Sequence, residues 1–182
     1  MTDLMPERLK KLIFTCIAVC TAIISGYAQP KSTGLTFSLS GIGIIYEHTI
    51  NEECFINADI KAEMGETFMM RQEYPGISAS FSCNFIMKEW VSQGGERICA
   101  FAGPGVSLGL SHDLDSDFGY SVGLKGRIGL ECCFERDIAI SVTFNPIIGS
   151  HLSLEDGIVN MKYYRNGLIN AILPEIGIKY IF

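Results

Sequence analysis

The chain lacks most of the features that identify soluble enzymes and nucleic-acid-binding proteins. Its 182 residues carry a net charge of −6, which excludes a basic nucleic-acid-binding face. Only three histidines are present, His48, His112 and His151. No phosphate-binding loop, CxxC pair or dinucleotide fingerprint occurs. These absences favour a non-enzymatic protein with no cofactor and with no catalytic or metal site.

The chain also lacks a segment that could cross a membrane as a helix near its start. The apolar run Leu12–Ile24 has 13 residues, whereas a spanning helix needs roughly 20. Basic residues precede the run and small residues follow it, namely Arg8, Lys10 and Lys11, then Ser25, Gly26 and Ala28. This order is typical of a secretory signal peptide. We predict a signal peptide over 1–28, cleaved after Ala28, and one mature domain over 29–182 with 11 basic and 18 acidic residues, a net charge of −7.

Five cysteines, an odd number, remain after this cleavage. The mature chain keeps Cys54, Cys83, Cys99, Cys132 and Cys133. An odd set without paired ligand spacing is typical of neither a disulfide framework nor a metal site. Adjacent Cys132 and Cys133 would point to opposite faces of a strand, which argues against joint ligation. We expect them to be small, partly buried side chains on strands rather than metal ligands.

What the mature chain does contain is alternation of apolar and polar residues with a period of two, which predicts β-strands. Seven segments show it: Gly34–His48 with a bulge near Ser40 and Gly41, Cys54–Gly65, Ile77–Lys88, Ile98–Leu110, Phe118–Phe134, Ile138–Asn145 and Leu168–Phe182. Pro104 removes one ladder donor and predicts a second bulge. An even-numbered barrel needs an eighth strand, for which Pro30–Ser40 and Leu152–Tyr164 are the two candidates.

Each strand has one apolar face and one face of glycine, serine and charged residues. In the second segment, Ile56 and Ile60 alternate with Asp59 and Lys61. The longest segment, Phe118–Phe134, has 17 residues, well above the soluble norm of about five or six and enough to cross a bilayer. Aromatic residues stand at strand ends, as interfacial girdles do. The pattern predicts an all-β fold, a closed antiparallel transmembrane β-barrel of about eight strands.

Charged residues of both signs lie on the polar phase of these strands. The predicted lumen charge network comprises Asp59, Lys61, Glu63, Lys125, Arg127, Glu131, Glu175 and Lys179. Oppositely charged side chains inside a narrow barrel are stabilised only when they are paired. A barrel of about eight strands is filled by its side chains, so we expect no wide channel.

Three segments, GIGIIYEHTINEECFINADI, GLKGRIGLECCFERDIAISV and PEIGIKYIF, resemble the strand, turn, strand units of OmpA-like and OmpX-like small outer-membrane barrels. The resemblance covers residues 34–182 through loose patterning. It implies a Gram-negative outer membrane as location, and outer-membrane lipid and lipopolysaccharide as surroundings. It also implies that the barrel assembly machinery reads Tyr180 and Phe182 as an assembly signal.

The same resemblance implies an orientation in the membrane. With Phe182 at the periplasmic side, the turns near Thr49–Glu53, Glu89–Gly95 and Glu135–Asp137 are periplasmic, and Glu66–Gly76, Ser111–Asp117 and Gly149–Asn166 face outward. The outward segments, above all Gly149–Asn166, would carry any recognition. No feature of the sequence names their ligand.

Two constellations could carry chemistry, and both have a simpler explanation. Ser111, His112 and Asp113 are adjacent, as are Ser150 and His151 with Glu155 nearby, but a triad is defined by geometry rather than adjacency. DLDSDFG resembles a calcium loop, yet Phe118 replaces its glycine and Leu124 its last glutamate. A structural or surface-interaction barrel is therefore the first hypothesis. A lipid-modifying enzyme and a minor narrow pore are the alternatives.

Overall fold

The computed structural model describes residues 30–64, 75–113, 116–134, 137–155 and 158–182, so the predicted signal peptide lies outside it. The strands of this part are β1 Lys31–Ser38, β2 Gly41–Asn51, β3 Cys54–Glu63, β4 Gly76–Val91, β5 Arg97–Asp113, β6 Ser116–Phe134, β7 Ile138–Phe144, β8 Ile147–Glu155, β9 Ile158–Tyr163 and β10 Glu175–Ile181. One helix, α1 Asn166–Ile172, precedes β10. Within the described ranges, no helix is long and apolar enough to span a membrane.

The strands close into a ring of eight. Strands β1 to β6 pair antiparallel in chain order, β6 pairs with β7, β7 with β10, and β10 with β1. Strand β8 continues the line of β7 and pairs with the other half of β6, from Gly119 to Lys125, and β9 pairs with β8. The predicted all-β closed barrel of eight strands is confirmed. Closure pairs the strand backbones with one another, which leaves the ring without an open edge.

The first predicted segment is two strands rather than one bulged strand. The residues Leu39 and Ser40 form a turn between β1 and β2, and β1 pairs with both β2 and β10. Of the two candidates for the eighth strand, the Pro30–Ser40 segment therefore completes the ring. The second candidate also pairs, but it extends one side of the wall as the β8–β9 hairpin.

The Gly149–Asn166 segment, which was expected to carry recognition, consists largely of the β8–β9 hairpin, because β8 and β9 pair from Ser150 opposite Tyr163 to Glu155 opposite Ile158. Two further expectations about local structure are wrong. The last strand begins only at Glu175, since Leu168 and Ile172 belong to α1, where their spacing of four matches one helix face. Pro104 causes no bulge, because it stands opposite Gly126 within an unbroken register.

The wall is inverted relative to that of a soluble protein. Polar and charged side chains face the lumen, where Arg127 is only 1% exposed. Large apolar side chains face outward, and Leu124 on the same strand is 70% exposed. On β3 likewise, the polar Asn57 is buried on the lumen face and the apolar Ile60 is exposed on the outward face. The polar phase of the strands thus forms the interior, as the alternation predicts.

The two ends of the barrel are built differently. At one end Lys31 and Phe182 exchange backbone hydrogen bonds of 3.0 and 2.8 Å, beside the turns that follow β2, β4 and β6. We call this end the terminal rim. The ends of β3, β5 and β8 form the opposite end, which we call the distal rim.

Candidate functional site: the barrel lumen

Four charged residues meet in the half of the lumen nearest the terminal rim. The Arg127 Nη1 atom lies 2.9 Å from Glu47 Oε1, and Lys179 Nζ contacts the carboxylates of both Glu47 and Glu131. Strands β2 and β6 stand opposite each other in the ring, so the Arg127–Glu47 pair crosses the lumen directly. Two cations and two anions form a neutral cluster, as burial of charge requires. We call these four residues the terminal cluster.

Packing holds the arginine of this cluster in place. The guanidinium of Arg127 lies 5.1 Å from the ring centroid of Phe101, which packs edge-on against Phe55. A side chain at Gly129 would put Cβ 2.8 Å from the Phe101 ring, so the absence of one makes room for the phenyl group. The amide of Asn57, oriented with its oxygen toward Arg127 Nη1 (3.1 Å), donates to Asp59 Oδ2 at 3.2 Å. It thereby joins the terminal cluster to the charges beyond it.

In the distal half the charges form two separate pairs. Lys125 Nζ lies 2.8 Å from Asp59 Oδ2, with the Ser80 hydroxyl bonded to both groups. Lys61 Nζ lies 3.3 Å from Glu175 Oε2 and donates to Ser40 Oγ at 2.7 Å. Both pairs again join strands that are not neighbours in the ring. The lumen is therefore crossed by ion pairs at several levels.

The structure brings most of the predicted network residues together, with one exception and one addition. Asp59, Lys61, Lys125, Arg127, Glu131, Glu175 and Lys179 all stand in ion pairs. Glu63 instead lies 3.4 Å from the hydroxyl of Tyr164. Glu47 was missed, although it is the centre of the terminal cluster. The sequence could have identified it, because Ile44 and Tyr46 belong to the outward face of β2, and Glu47, as the next residue, must face the lumen.

A segment between β9 and β10 packs against β7 and β8 and is fastened to side chains in the distal half of the lumen. We call this segment, Tyr164–Leu173, the lumen cap. The carboxylate of Asp113 at the end of β5 accepts hydrogen bonds from the backbone N–H groups of Arg165 (3.0 Å) and Asn166 (2.9 Å). The Asn166 side chain donates to the His112 carbonyl at 3.0 Å. The Asp113 carboxylate thus satisfies N–H groups at the start of α1 that have no partner within the helix.

Tyr164 anchors the cap inside the barrel. Its ring is buried and stacks on His151, and its hydroxyl reaches the Glu63 carboxylate. Burial raises the pKa of the Tyr164 hydroxyl, and the negative charge of Glu63 raises it further. The hydroxyl therefore stays protonated and can donate to that carboxylate. The cap is thus fastened to the ends of β3 and β5 and to the middle of β8.

Two cavities of different size are lined by described residues of the lumen, one in each half. Beneath the cap, a cavity of about 20 Å³ is lined by Asp59, Lys61 and Leu173 among others, which is room for about one water molecule. At the terminal rim a cavity of about 830 Å³ is lined by Glu47, Phe55, Arg97, Cys99, Glu131 and Cys133 among others. We call the larger cavity the terminal vestibule, and the terminal cluster forms part of its wall.

The candidate chemical residues are used for structure. The structure does bring Ser111 and His151 together, but His151 Nε2 lies 2.9 Å from the Ser111 carbonyl oxygen, and both side chains are buried. His112 packs edge-on against Phe118, away from them. Asp113 binds the cap, whereas Asp115 and the side chain of Asp117 lie outside the described residues. Among the described residues no group of three or more metal-ligating side chains occurs.

The fold and the lumen define a class, the closed eight-stranded barrels with a polar, side-chain-filled interior. No protein-family model matches the chain, and no curated protein matches it. Among solved structures it is similar to Ail, the attachment invasion locus protein of Yersinia pestis, with a TM-score of 0.33 and 11% identity over 84% of this chain and 94% of that chain. The assignment to the class rests on the strand pairing and burial of this chain.

Proposed function

We propose that this chain is an outer-membrane β-barrel of a Gram-negative bacterium, with a structural or surface-interaction role and a closed lumen. The inverted burial pattern carries the proposal. A continuous belt of exposed apolar side chains around the wall would be unfavourable in water, whereas lipid covers such a belt without cost. Closure of the ring meets the other requirement of a bilayer, because backbone polar groups there must be paired within the protein.

The strand lengths and the rims support the same proposal. Strands β4, β5 and β6 have 16, 17 and 19 residues, more than the roughly 9 to 11 that cross a bilayer at a tilt. Tyr180 and Phe182 are exposed at the terminal rim and stack with ring centroids 6.5 Å apart. Such a pair is accessible to the barrel assembly machinery. The terminal rim then faces the periplasm, and the distal rim faces lipopolysaccharide and the exterior.

Recognition, in this proposal, belongs to the distal rim. The β8–β9 hairpin completes the wall in the distal half of the barrel, and the lumen cap joins it to β10. Rigid hairpins with exposed side chains suit contact with a partner or with lipopolysaccharide. The ion pairs across the lumen and the cap disfavour the alternative of a minor pore, and the burial of Ser111 and His151 disfavours a lipid-modifying enzyme.

The decisive experiment is gel migration of the isolated outer-membrane fraction with and without heating. A folded membrane barrel migrates in detergent at a lower apparent mass than its unfolded chain, and after boiling it migrates at the mass of the full-length chain. Recovery in the soluble periplasmic fraction, without any such shift, would refute the proposal. For the enzyme alternative, replacing His112 and His151 together by Gln should leave envelope lipid composition unchanged. Altered lipid A or phospholipid acylation in that variant would favour the enzyme instead.

A further inference from the structure

Two of the five mature cysteines stand in contact on neighbouring strands. The Sγ atoms of Cys54 on β3 and Cys83 on β4 are 3.4 Å apart. In the ladder, Cys54 stands opposite Phe85 and Cys83 opposite Ile56, so the two thiols are diagonal neighbours on one face. That face is the outward one, because Phe85 beside them is exposed. The odd number of cysteines in the sequence concealed this pair, since only three-dimensional proximity identifies it.

We propose that Cys54 and Cys83 are joined by a disulfide in the mature protein. Bond formation shortens the Sγ–Sγ distance from 3.4 Å to about 2.05 Å. The proposal rests on the proposed export of the chain, because disulfides form and persist in the periplasm and not in a reducing cytosol.

The chemistry requires an oxidant of the disulfide class. The two thiols lose two protons and two electrons as the Sγ–Sγ bond forms, and the oxidant's own disulfide is cleaved to two thiols by exchange. Cys54 is only 9% exposed in the closed barrel. Exchange therefore takes place while the β3–β4 hairpin is still accessible, before the ring closes and its outward face is covered. The bond then closes a loop between two positions 29 residues apart and restricts the unassembled chain.

The other three cysteines provide matched comparisons. Cys99 and Cys133 are also diagonal neighbours, on β5 and β6, but they face the terminal vestibule, and these described strands show no contact between their sulfurs. Cys132 stands opposite Ile98 and Ile140 on the outward face without another thiol beside it. These three residues should stay reduced. Only Cys54 and Cys83 among these five cysteines are thus expected to be joined.

Trypsin separates the cysteines for a direct test. Cleavage gives peptides 32–61 with Cys54, 72–88 with Cys83, 98–125 with Cys99 and 128–136 with Cys132 and Cys133. The membrane fraction is quenched in acid, denatured, treated with N-ethylmaleimide and digested without reduction. Mass spectrometry should find 32–61 joined to 72–88, and maleimide on the other two peptides. Maleimide on both Cys54 and Cys83, in protein recovered from the outer membrane, would overturn the proposal.

Two variants and one reconstitution complete the test. The Cys99→Ser/Cys133→Ser variant should keep the linked peptides, and Cys54→Ala should lose them and leave Cys83 alkylated. If the chain is not found in the outer membrane, the proposed location fails independently of the thiols. The purified protein, folded in detergent with oxidised glutathione, then decides. Formation of the 32–61 to 72–88 link supports the pairing, and its absence, or a link between 98–125 and 128–136, overturns it.

Discussion

The two halves of the lumen are closed by different means. In the terminal half, closure depends on four charged side chains from β2, β6 and β10, and a vestibule of about 830 Å³ remains beside them. In the distal half, the lumen cap is held by Asp113 and Tyr164, and the cavity that the described residues line beside it has a volume of about 20 Å³. Removing one charge should therefore matter most in the terminal half, whereas leakage should depend most on the cap.

The largest effect is expected from Glu47→Ala. This change leaves Arg127 without its carboxylate and Lys179 with one carboxylate instead of two, and both cations are buried. Breaking a buried pair in this way costs about 3 to 5 kcal/mol. The measurement is the urea concentration at which the compact unheated band disappears. The control is Glu52→Ala at the exposed turn of the terminal rim. Equal midpoints for the two variants would show that the terminal cluster does not hold the wall together.

The next largest effect is expected from Ile60→Arg, which tests the wall that both halves share. Ile60 is exposed on the outward face of β3, where a charge in mid-bilayer costs about 2 to 4 kcal/mol. The fraction of heat-modifiable protein in the membrane should fall, whereas Ile60→Phe should assemble normally. The lumen residue Asn57 is no neutral control for an added arginine, because it is buried against Arg127. Normal assembly of Ile60→Arg would show that water rather than lipid surrounds the outward face of the wall.

A smaller effect on stability, but the clearest effect on permeability, is expected from Asp113→Asn. Hydrogen bonds to a charged acceptor contribute about 1.5 to 3 kcal/mol, and this change weakens the two that fasten the cap. Conductance in planar bilayers should be negligible for the wild type and should show brief openings in the variant. Asp137→Asn, at a turn of the terminal rim, is the control. Large, steady conductance of the wild type would instead favour the pore hypothesis.

The smallest effect is expected from Tyr164→Phe. It keeps the buried ring on His151 and removes only the hydroxyl beside Glu63, so the loss should be about 0.5 to 1.5 kcal/mol. Hydrogen exchange of the backbone over 164–168 should be modestly faster, and that over the terminal half should be unchanged. Tyr163→Phe, whose ring is exposed, should leave both unchanged. Faster exchange throughout the barrel would mean that the two halves are not independent.

The sequence by itself determined the wall of this protein. The period-two alternation places Ile60 outside and Asn57 inside. It is a local property of a single strand, so it can be recognised without knowing which strands pair. The same alternation identifies which charged residues face the lumen. It would have included Glu47 if β2 had been recognised as a strand separate from β1. What lies on each face therefore follows from residue order alone.

Only the tertiary structure decided how these residues meet. Which cation neutralises which anion depends on the register and closure of the ring, which bring Arg127 to Glu47 and Lys61 to Glu175 across many residues of chain. The lumen cap depends on Asp113, which lies on β5 and is distant in sequence from the N–H groups it binds. The Cys54–Cys83 contact likewise exists only through the pairing of β3 with β4. Contacts between segments far apart in the chain leave no periodic trace in the sequence, so the alternation that revealed the wall could not reveal them.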